Sequence, residues 1–299
     1  MGFFIQEYTG RMIAKNIFYI RPSSVKNKAP VLKKILLLLL VLSSFNCYSQ
    51  NLSICSWNLK DFGKSKSDKE ITVIAKLLKS FDVIAIQEVV GSYGGPQAIA
   101  RLTAELSRSG GKWEYAISGL TSGSAYKSER YAFIWKTDKV KKIGEPWLES
   151  KYGLLIGREP FYCRFKIAKK VFTLVSFHAI TKSKQPETEI RYFKFFPQLY
   201  PLDNLIFCGD FNLPQSHTVF FPLRKMGYIS SMVNQKTSLR QKCINNDCLA
   251  SEFDNFYFNT AKVNLISAGV LHFYKVFNDL KAARLISDHV PIFLNFSLK

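Results

Sequence analysis

Sheets covered by helices, an α/β fold, are what three features of the sequence predict. Short β-branched or aromatic runs recur along the chain. Segments with apolar residues on one helical face fall between them. Several of the runs stop abruptly at a polar residue. The 299 residues are 47% hydrophobic and 21% charged, which excludes a disordered chain, a collagen-like chain and a polytopic membrane protein. Lys+Arg 42 against Asp+Glu 22 gives +20. That balance says nothing of fold and points to a polyanionic partner: nucleic acid, anionic lipid or acidic polysaccharide.

Residues 1–49 read as a signal peptide with an N-terminal extension. Lys33 and Lys34 precede the apolar run 35–42, and 43–49 are mostly small or polar, so cleavage is expected near Ser49 and Gln50. Eight apolar residues are too few to cross a bilayer, which needs roughly 20. A retained anchor is the alternative, and Met12 is another candidate start. Residues 50–299 show no repeat, no low-complexity tract and no linker, and read as one basic domain. Export would make the protein secreted, periplasmic or extracellular, with no integral membrane segment left after cleavage. The cysteines of this part, Cys55, Cys163, Cys208, Cys243 and Cys248, are odd in number, which argues against a disulfide framework. Cys55 and Cys208 sit in apolar runs as core thiols. Cys243 and Cys248 flank a polar loop that admits either a local disulfide or two thiols.

The elements follow in order. A strand is expected over 51–57, then a helix over 67–80 with Ile71, Ile74, Leu77 and Leu78 on one face. Ser67 is its N-cap, with Glu70 placed for a capping box. A buried strand over 82–86 ends in Gln87-Glu88. Gly94-Gly95-Pro96 breaks the chain before a helix over 97–108. Strands are expected over 131–136, 161–167, 171–178, 205–208, 253–258 and 291–296, and helices over 187–199 and 217–226.

Polar outcrops follow these strands: Asn58, Glu88, His178, Asp210, Asn212, and Asp288-His289 before the closing strand. Strand ends that share a sheet edge bring distant residues together, where α/β sheets bind ligands. Asp210 and Asn212, two apart, offer oxygens suited to a hard cation. Asp288-His289 offers a ligand beside a proton-transfer group. The other histidines read as surface (His217) and core (His272). Each outcrop alone is ordinary turn chemistry; the conjunction is not.

In order, Trp57-Asn58-Leu59, Gln87-Glu88-Val89, Glu129-Arg130-Tyr131, Arg158-Glu159-Pro160, Phe177-His178-Ala179, Gly209-Asp210-Phe211-Asn212, Phe253-Asp254-Asn255 and Ser287-Asp288-His289-Val290-Pro291 resemble the endonuclease/exonuclease/phosphatase superfamily. Tyr126-Lys127-Ser128-Glu129 and Gly157-Arg158 bring the resemblance nearest to deoxyribonuclease I. It covers essentially all of 50–299 and implies a four-layer sandwich of two central β-sheets flanked by helices. It further implies divalent-metal and site-ordering roles for Asn58, Glu88, Asp210 and Asp288, with Glu88 the best single metal ligand. It implies catalytic histidines His178 and His289, oriented by the carboxylates Glu129 and Asp254. Asn212, Arg158 and Tyr126 match phosphate- or DNA-contacting positions.

The chemistry needs these types. A phosphodiester is anionic and repels a nucleophile. Mg²⁺, with Mn²⁺ or Ca²⁺ as substitutes, neutralises developing charge and orients water. One imidazole takes a proton from water while another gives one to the leaving 3′-oxygen, so 5′-phosphate ends are expected. One phosphate can serve both rings only if they lie within about 10 Å. The implied activity is a secreted DNA endonuclease of little sequence specificity, with DNA as partner and no protein partner. A phosphoesterase on lipid or inositol phosphate headgroups is the rival within the superfamily. A binding module without catalysis is disfavoured by the complete set of acids and histidines.

Four positions depart from the deoxyribonuclease pattern. Val90 stands where an arginine reads the minor groove, and Glu149 is the only acid of 146–156, too few for the structural calcium site that the resemblance would place there. Ser128 shifts Tyr126 by one residue, and Asn255 replaces an arginine beside Asp254. Lys64, Lys66, Lys69, Lys182 and Lys184 are candidate phosphate contacts, read alternatively as scattered solubilising charge.

Overall fold

A computed structural model describes residues 51–123 and 128–299. The signal-peptide reading of 1–49 and the candidate Tyr126 lie outside the described residues.

Two six-stranded sheets carry the molecule. The first has the order β13-β14-β1-β2-β4-β3 and the second β5-β6-β7-β8-β12-β9. In the first, β1 (Leu52–Phe62), β2 (Val83–Val90), β3 (Trp113–Ile117) and β4 (Glu129–Lys136) meet β13 (Val263–Val270) and β14 (Ile292–Leu298). The second takes β5 (Lys141–Leu148), β6 (Phe161–Ile167), β7 (Lys170–His178), β8 (Leu205–Asp210), β9 (Tyr228–Ser230) and β12 (Asp254–Asn259). A small hairpin, β10 (Leu239–Ile244) with β11 (Asp247–Leu249), stands apart. Each large sheet has one parallel pair, β1 with β2 and β7 with β8, between antiparallel neighbours.

Side chains alternate across each strand, and the alternation builds the layers. Ile54, Val83, Ala85, Phe133, Leu174, Ile206, Cys208, Phe256 and Leu294 pack between the sheets. The other face of the first sheet, Cys55, Trp57, Ile84 and Ile86, packs on helices α1 (Asp68–Leu78) and α2 (Gly94–Arg108). Val175, Phe177, Leu205, Phe207 and Tyr257 of the second sheet pack on short helices, among them α3 (Glu187–Ile190), α4 (Phe196–Leu199) and α5 (Phe221–Lys225). A last helix, α6 (Leu280–Ile286), joins the first cluster. Helix, sheet, sheet, helix is the expected four-layer sandwich. Each fully buried Leu, Phe or Ile contributes roughly 1.5–3 kcal/mol.

The capping box of α1 is formed: Ser67 Oγ accepts from Glu70 N, and Glu70 Oε2 accepts from Ser67 N at 2.7 Å. Other expectations need correction. Gly94-Gly95-Pro96 does not precede α2 but makes its first turn, where proline needs no hydrogen bond. Gly95 is required there, since a Cβ would lie 2.1 Å from the Val90 carbonyl oxygen. The helix expected over 187–199 is α3, a 3₁₀ turn and α4, because Pro197 restarts the chain at the head of α4. The helix expected over 217–226 opens as a 3₁₀ turn and becomes α5 beside Pro222. His272 is exposed rather than core, with its ring edge-on to Tyr274. Cys243 and Cys248 form a disulfide across β10–β11, and Cys55, Cys163 and Cys208 are buried thiols.

Candidate active site

The inward-facing positions of the central strands turn polar at one end of the inter-sheet layer. After Ile54 come Ser56 and Asn58; after Val83 and Ala85 comes Gln87; after Leu174 come Ser176 and His178; after Cys208 comes Asp210. Glu129 opens β4 before Tyr131, and Asp254 opens β12 before Phe256. Gln87 seals the floor by donating from Nε2 to Ser56 Oγ (3.1 Å) and Ser176 Oγ (2.8 Å).

Strand register does the positioning. His178 pairs with Asp210 across the parallel β7/β8 pair, and Asp210 pairs with Asp254 across β8/β12. One rung of the sheet therefore sets the three side by side, neighbouring strands being about 4.8 Å apart. Gly209 permits this approach: its φ is +128°, and a Cβ would sit 1.9 Å from the Phe177 carbonyl oxygen.

Glu88 breaks the alternation. After inward Gln87 it would face the helices, but its φ of +58° and a register shift between Ile86 and Val89 turn it to the rim. Such a backbone costs about 1 kcal/mol or more for a residue with a Cβ. Glu88 Oε1 accepts from Asn58 Nδ2 (2.9 Å) and Oε2 from Asp61 N (3.1 Å). Asn58 Nδ2 also faces Asp210 Oδ2 at 3.3 Å.

His289 arrives on the loop before β14. Trp57 Nε1 donates to its carbonyl oxygen at 2.7 Å, and Ser287 Oγ donates to the Asn58 carbonyl oxygen at 2.5 Å. Both ties fasten this loop to the end of β1. His289 Nδ1 then meets Asp254 Oδ2 at 2.7 Å, and His178 Nδ1 meets Glu129 Oε1 at 2.8 Å. Each ring thus turns Nε2 inward, and both Nε2 atoms face one oxygen, Asp210 Oδ2, at 3.5 Å from His178 and 3.6 Å from His289. The two rings are separated by no more than twice that reach, inside the bound of about 10 Å that a shared phosphate sets.

Electrostatics follow from burial and partners. Burial disfavours the charged form of His178, but Glu129 and Asp210 outweigh it against Arg158 and raise its pKa. Burial likewise opposes charge on His289, yet Asp254 and Asp210 raise it to about 10. Burial pushes Asp210 up, and His289, His178 and the Asn212 N–H hold it below the usual range. At Asp254 burial outweighs His289 and the carboxyl lies above its usual value. The imidazole is the donor of that pair, because Asp254 Oδ2 already accepts from Thr237 Oγ1 at 2.7 Å.

Arg158 and Asn212 complete the rim from loops. Arg158 Nη1 meets Glu129 Oε2 at 3.1 Å, and its Nη2 donates to the Ala179 carbonyl oxygen. Asn212 Nδ2 donates to the same carbonyl at 3.0 Å. Burial opposes the Arg158 charge, but Glu129 raises its pKa further. Glu88, Asp61, Ser92, Glu129, Arg158 and His178 line an open cleft of about 510 Å³.

The structure brings together Asn58, Glu88, Glu129, Arg158, His178, Asp210, Asn212, Asp254 and His289. Asp288 is turned aside: its Oδ2 faces Arg284 Nη2 at 3.4 Å and Lys60 Nζ at 3.8 Å. Asp210, Asp254 and His289 offer ligand atoms within 4.8 Å of one another, with Asp254 Oδ2 already held by Thr237 Oγ1 and His289 Nδ1. The Glu88 end fits a hard cation better. Its donors are oxygens, its carboxylate opens on the cleft, and Asp61 and Asp210 add negative charge there.

Two positioning residues, Thr237 and Glu189, carried no sequence signal. Thr237 lies in an irregular loop, yet its Oγ1 binds Asp254 and accepts from Phe253 N and Asp254 N. Buried Glu189 accepts from Gly157 N (2.7 Å) and Ile180 N (2.9 Å), tying the loop before Arg158 to the loop after His178. Tyr131 Oη accepts from His178 N at 3.1 Å. Asn255 does not support the Asp254 carboxylate but binds the N–H and carbonyl of Met232, two residues beyond β9. Glu149 is buried and accepts from Lys151 N and Tyr200 Oη, so the chain itself satisfies it. Lys66 is not a phosphate contact: it is buried, with Nζ donating to the carbonyls of Leu285 (2.7 Å) and Ile286 (2.8 Å). Lys182 and Lys184 are exposed just beyond His178.

Two facing sheets with carboxylate-backed imidazoles at their common rim define the class, a four-layer α/β sandwich with its site between the sheets. The solved structure of an endonuclease/exonuclease/phosphatase family protein from Bacteroides thetaiotaomicron shares this fold. It has a TM-score of 0.62 at 17% identity, covering 84% of this chain and 98% of that one. The model of the Endonuclease/Exonuclease/phosphatase family matches residues 43–289, and the chain belongs to that family. A deoxyribonuclease from Thioalkalivibrio sp. (strain K90mix) is 26% identical over 266 residues, 82% of this chain and 71% of that protein. Deoxyribonuclease gamma from Rattus norvegicus is 29% identical over 202 residues, 62% of this chain and 61% of its own length.

Proposed function

We propose that the protein is a divalent-metal-dependent endonuclease that hydrolyses DNA phosphodiesters with little sequence preference and leaves 5′-phosphate ends. The observation that carries this reading is a single one. Two buried imidazoles, each backed by a carboxylate, aim Nε2 at the same Asp210 oxygen beside a cleft that Glu88 and Arg158 line. The similarity to deoxyribonucleases and the strong positive charge favour DNA over a lipid or inositol phosphate. Export through a cleaved leader, as the sequence of 1–49 implies, belongs to the same reading.

Glu88, with Asp61 and Asp210 near it, would hold Mg²⁺ or a similar ion. Asn58, whose Nδ2 faces Glu88 and Asp210, would order that set rather than ligate, and Asp288 lies outside it. When bound, such an ion neutralises charge on the phosphoryl oxygens. Arg158 and Asn212 grip the phosphate from the Ala179 side. One imidazole takes the proton of the attacking water at Nε2, and the other delivers a proton from Nε2 to the leaving 3′-oxygen. Glu129 and Asp254 hold Nδ1–H and so keep each Nε2 in the role its tautomer demands.

The test is an assay of plasmid DNA, RNA, sphingomyelin and inositol phosphates with and without chelator. Metal-dependent nicking of plasmid, with ends that a ligase joins, is expected. Turnover of a lipid or inositol phosphate without DNA cleavage refutes the nuclease reading. Unchanged DNA cleavage in Glu88→Ala, His178→Ala and His289→Ala refutes the site.

A further inference from the structure

A second cleft of about 660 Å³ opens between the β10–β11 hairpin and α6, lined by Lys60, Lys242, Cys243, Lys281, Arg284 and neighbours. Lys60, Lys242, Lys281 and Arg284 face Asp279 alone among acids of this lining, and Asp279 already caps α6 by accepting from Ala282 N at 2.7 Å. Lys242 and Lys281 are exposed and have no ion-pair partner among the described residues. The hairpin is held in place twice. The Cys243–Cys248 disulfide closes it, and Arg284 Nη1 donates to the carbonyls of Leu239 (2.6 Å) and Arg240 (3.3 Å).

This cleft adjoins the catalytic one. Lys60 lines the second, Asp61 lines the first, and the two residues form a ridge with φ of +25° and +50°. The ridge is pinned from the catalytic side: Asn58 Oδ1 accepts from Lys60 N (3.1 Å), and Glu88 Oε2 accepts from Asp61 N. Lys60 Nζ reaches Asp288 Oδ2, next to His289, at 3.8 Å. Unpaired cations in a concave wall concentrate a polyanion. Phosphates follow one another along a strand at roughly 3.4 Å of helix rise, so several fall outside any one-phosphate site.

We infer that this hairpin–helix cleft is a second backbone-binding site, which takes the phosphates of the substrate strand beyond the scissile one on the His289 side. The inference rests on the nuclease reading and adds to it a fixed strand path across Lys60 into the disulfide-closed hairpin. Affinity there is electrostatic and indifferent to base sequence.

The test is Lys242→Glu with Lys281→Glu, neither residue being part of the catalytic rim. Binding of a labelled 30-base-pair duplex is followed by anisotropy in chelator over a salt series, and cleavage is followed on plasmid and on a dinucleotide. The expected result is at least about tenfold weaker duplex binding and a salt slope shallower by about two. Plasmid KM rises in parallel, while dinucleotide cleavage is unchanged. Duplex binding and salt slope equal to the parent protein overturn the inference and leave the nuclease reading standing. Equal loss on the dinucleotide also overturns it, since the cleft would then act on the scissile site. A parent protein that cleaves no DNA sinks the nuclease reading, and this inference with it.

Discussion

Replacing Asp254 by asparagine is the sharpest perturbation the rim allows. The carboxylate is 2% exposed, so water cannot take its place. Its Oδ2 accepts from both His289 Nδ1 and Thr237 Oγ1, each at 2.7 Å. An amide nitrogen turned toward the ring donates where the carboxylate accepts. Nδ1 must then be the acceptor, and the proton moves to Nε2, the atom that serves the substrate. An orienting carboxylate lost in this way costs about 10³- to 10⁴-fold in kcat with little change in KM. The His289 pKa, about 10 beside Asp254, falls back toward that of an ordinary imidazole. Plasmid nicking in Mg²⁺ gives the rate, and a proton NMR titration of the ring gives the pKa. Thr237→Val is the control. It keeps the carboxylate and its His289 partner but removes the hydrogen bond to Asp254 Oδ2 and the acceptor of Phe253 N and Asp254 N. That loss, roughly 1–3 kcal/mol for each buried group left without a partner, falls on stability and leaves the imidazole tautomer unchanged. The drop in kcat should therefore be far smaller than in Asp254→Asn. A loss under tenfold in Asp254→Asn, with the ring still titrating near 10, refutes the assignment of Asp254 as orienter.

Glu88→Gln keeps shape and removes the charge that opens on the cleft, so Mn²⁺ affinity by calorimetry or the saturated rate should fall about 100-fold or more; no change in either dismisses the ion from that end. Glu189→Gln turns an N–H on one of two backbone donors in a buried spot, which should cost roughly 1–3 kcal/mol in urea unfolding and raise KM as the Arg158 loop loosens. Stability unchanged would mean the two loops are held by other contacts. Burial pushes Asp203 up, but Arg164 and Thr173 hold it below its usual value. A depressed carboxylate contributes stability above its unfolded pKa and loses it as pH falls through the folded one. The deficit of Asp203→Asn should therefore be present at neutral pH and shrink below pH about 4. Its size is reduced by solvent, since the Arg164 side chain is 40% exposed.

Much of the rim was legible because strand alternation is a sequence property. His178, Asp210 and Asp254 each follow or precede apolar partners at period two, so their meeting needed only the right sheet order. The Ser67–Glu70 capping box was legible for the same local reason. Glu88 could be named but not placed, because its positive φ arises from tertiary register and leaves no trace in residue type. Strands β5 and β13 went unread because they are largely exposed on their outer positions, so their apolar residues do not alternate cleanly. Thr237 was invisible: a threonine in a turn is the most ordinary of residues until a carboxylate folds against it.

The rung that sets His178, Asp210 and Asp254 in line has a bearing on how the chain comes to life. Its members belong to the second sheet, while Asn58, Glu88 and Glu129 hang from the first. Neither layer alone holds a competent set, and His289 reaches the pair only when the penultimate loop is laid against Trp57. Cleaving power should thus emerge in a refolding time course with the slowest docking phase and never ahead of it. A nascent chain that has not yet reached His289, the eleventh residue from its end, has only part of the rim.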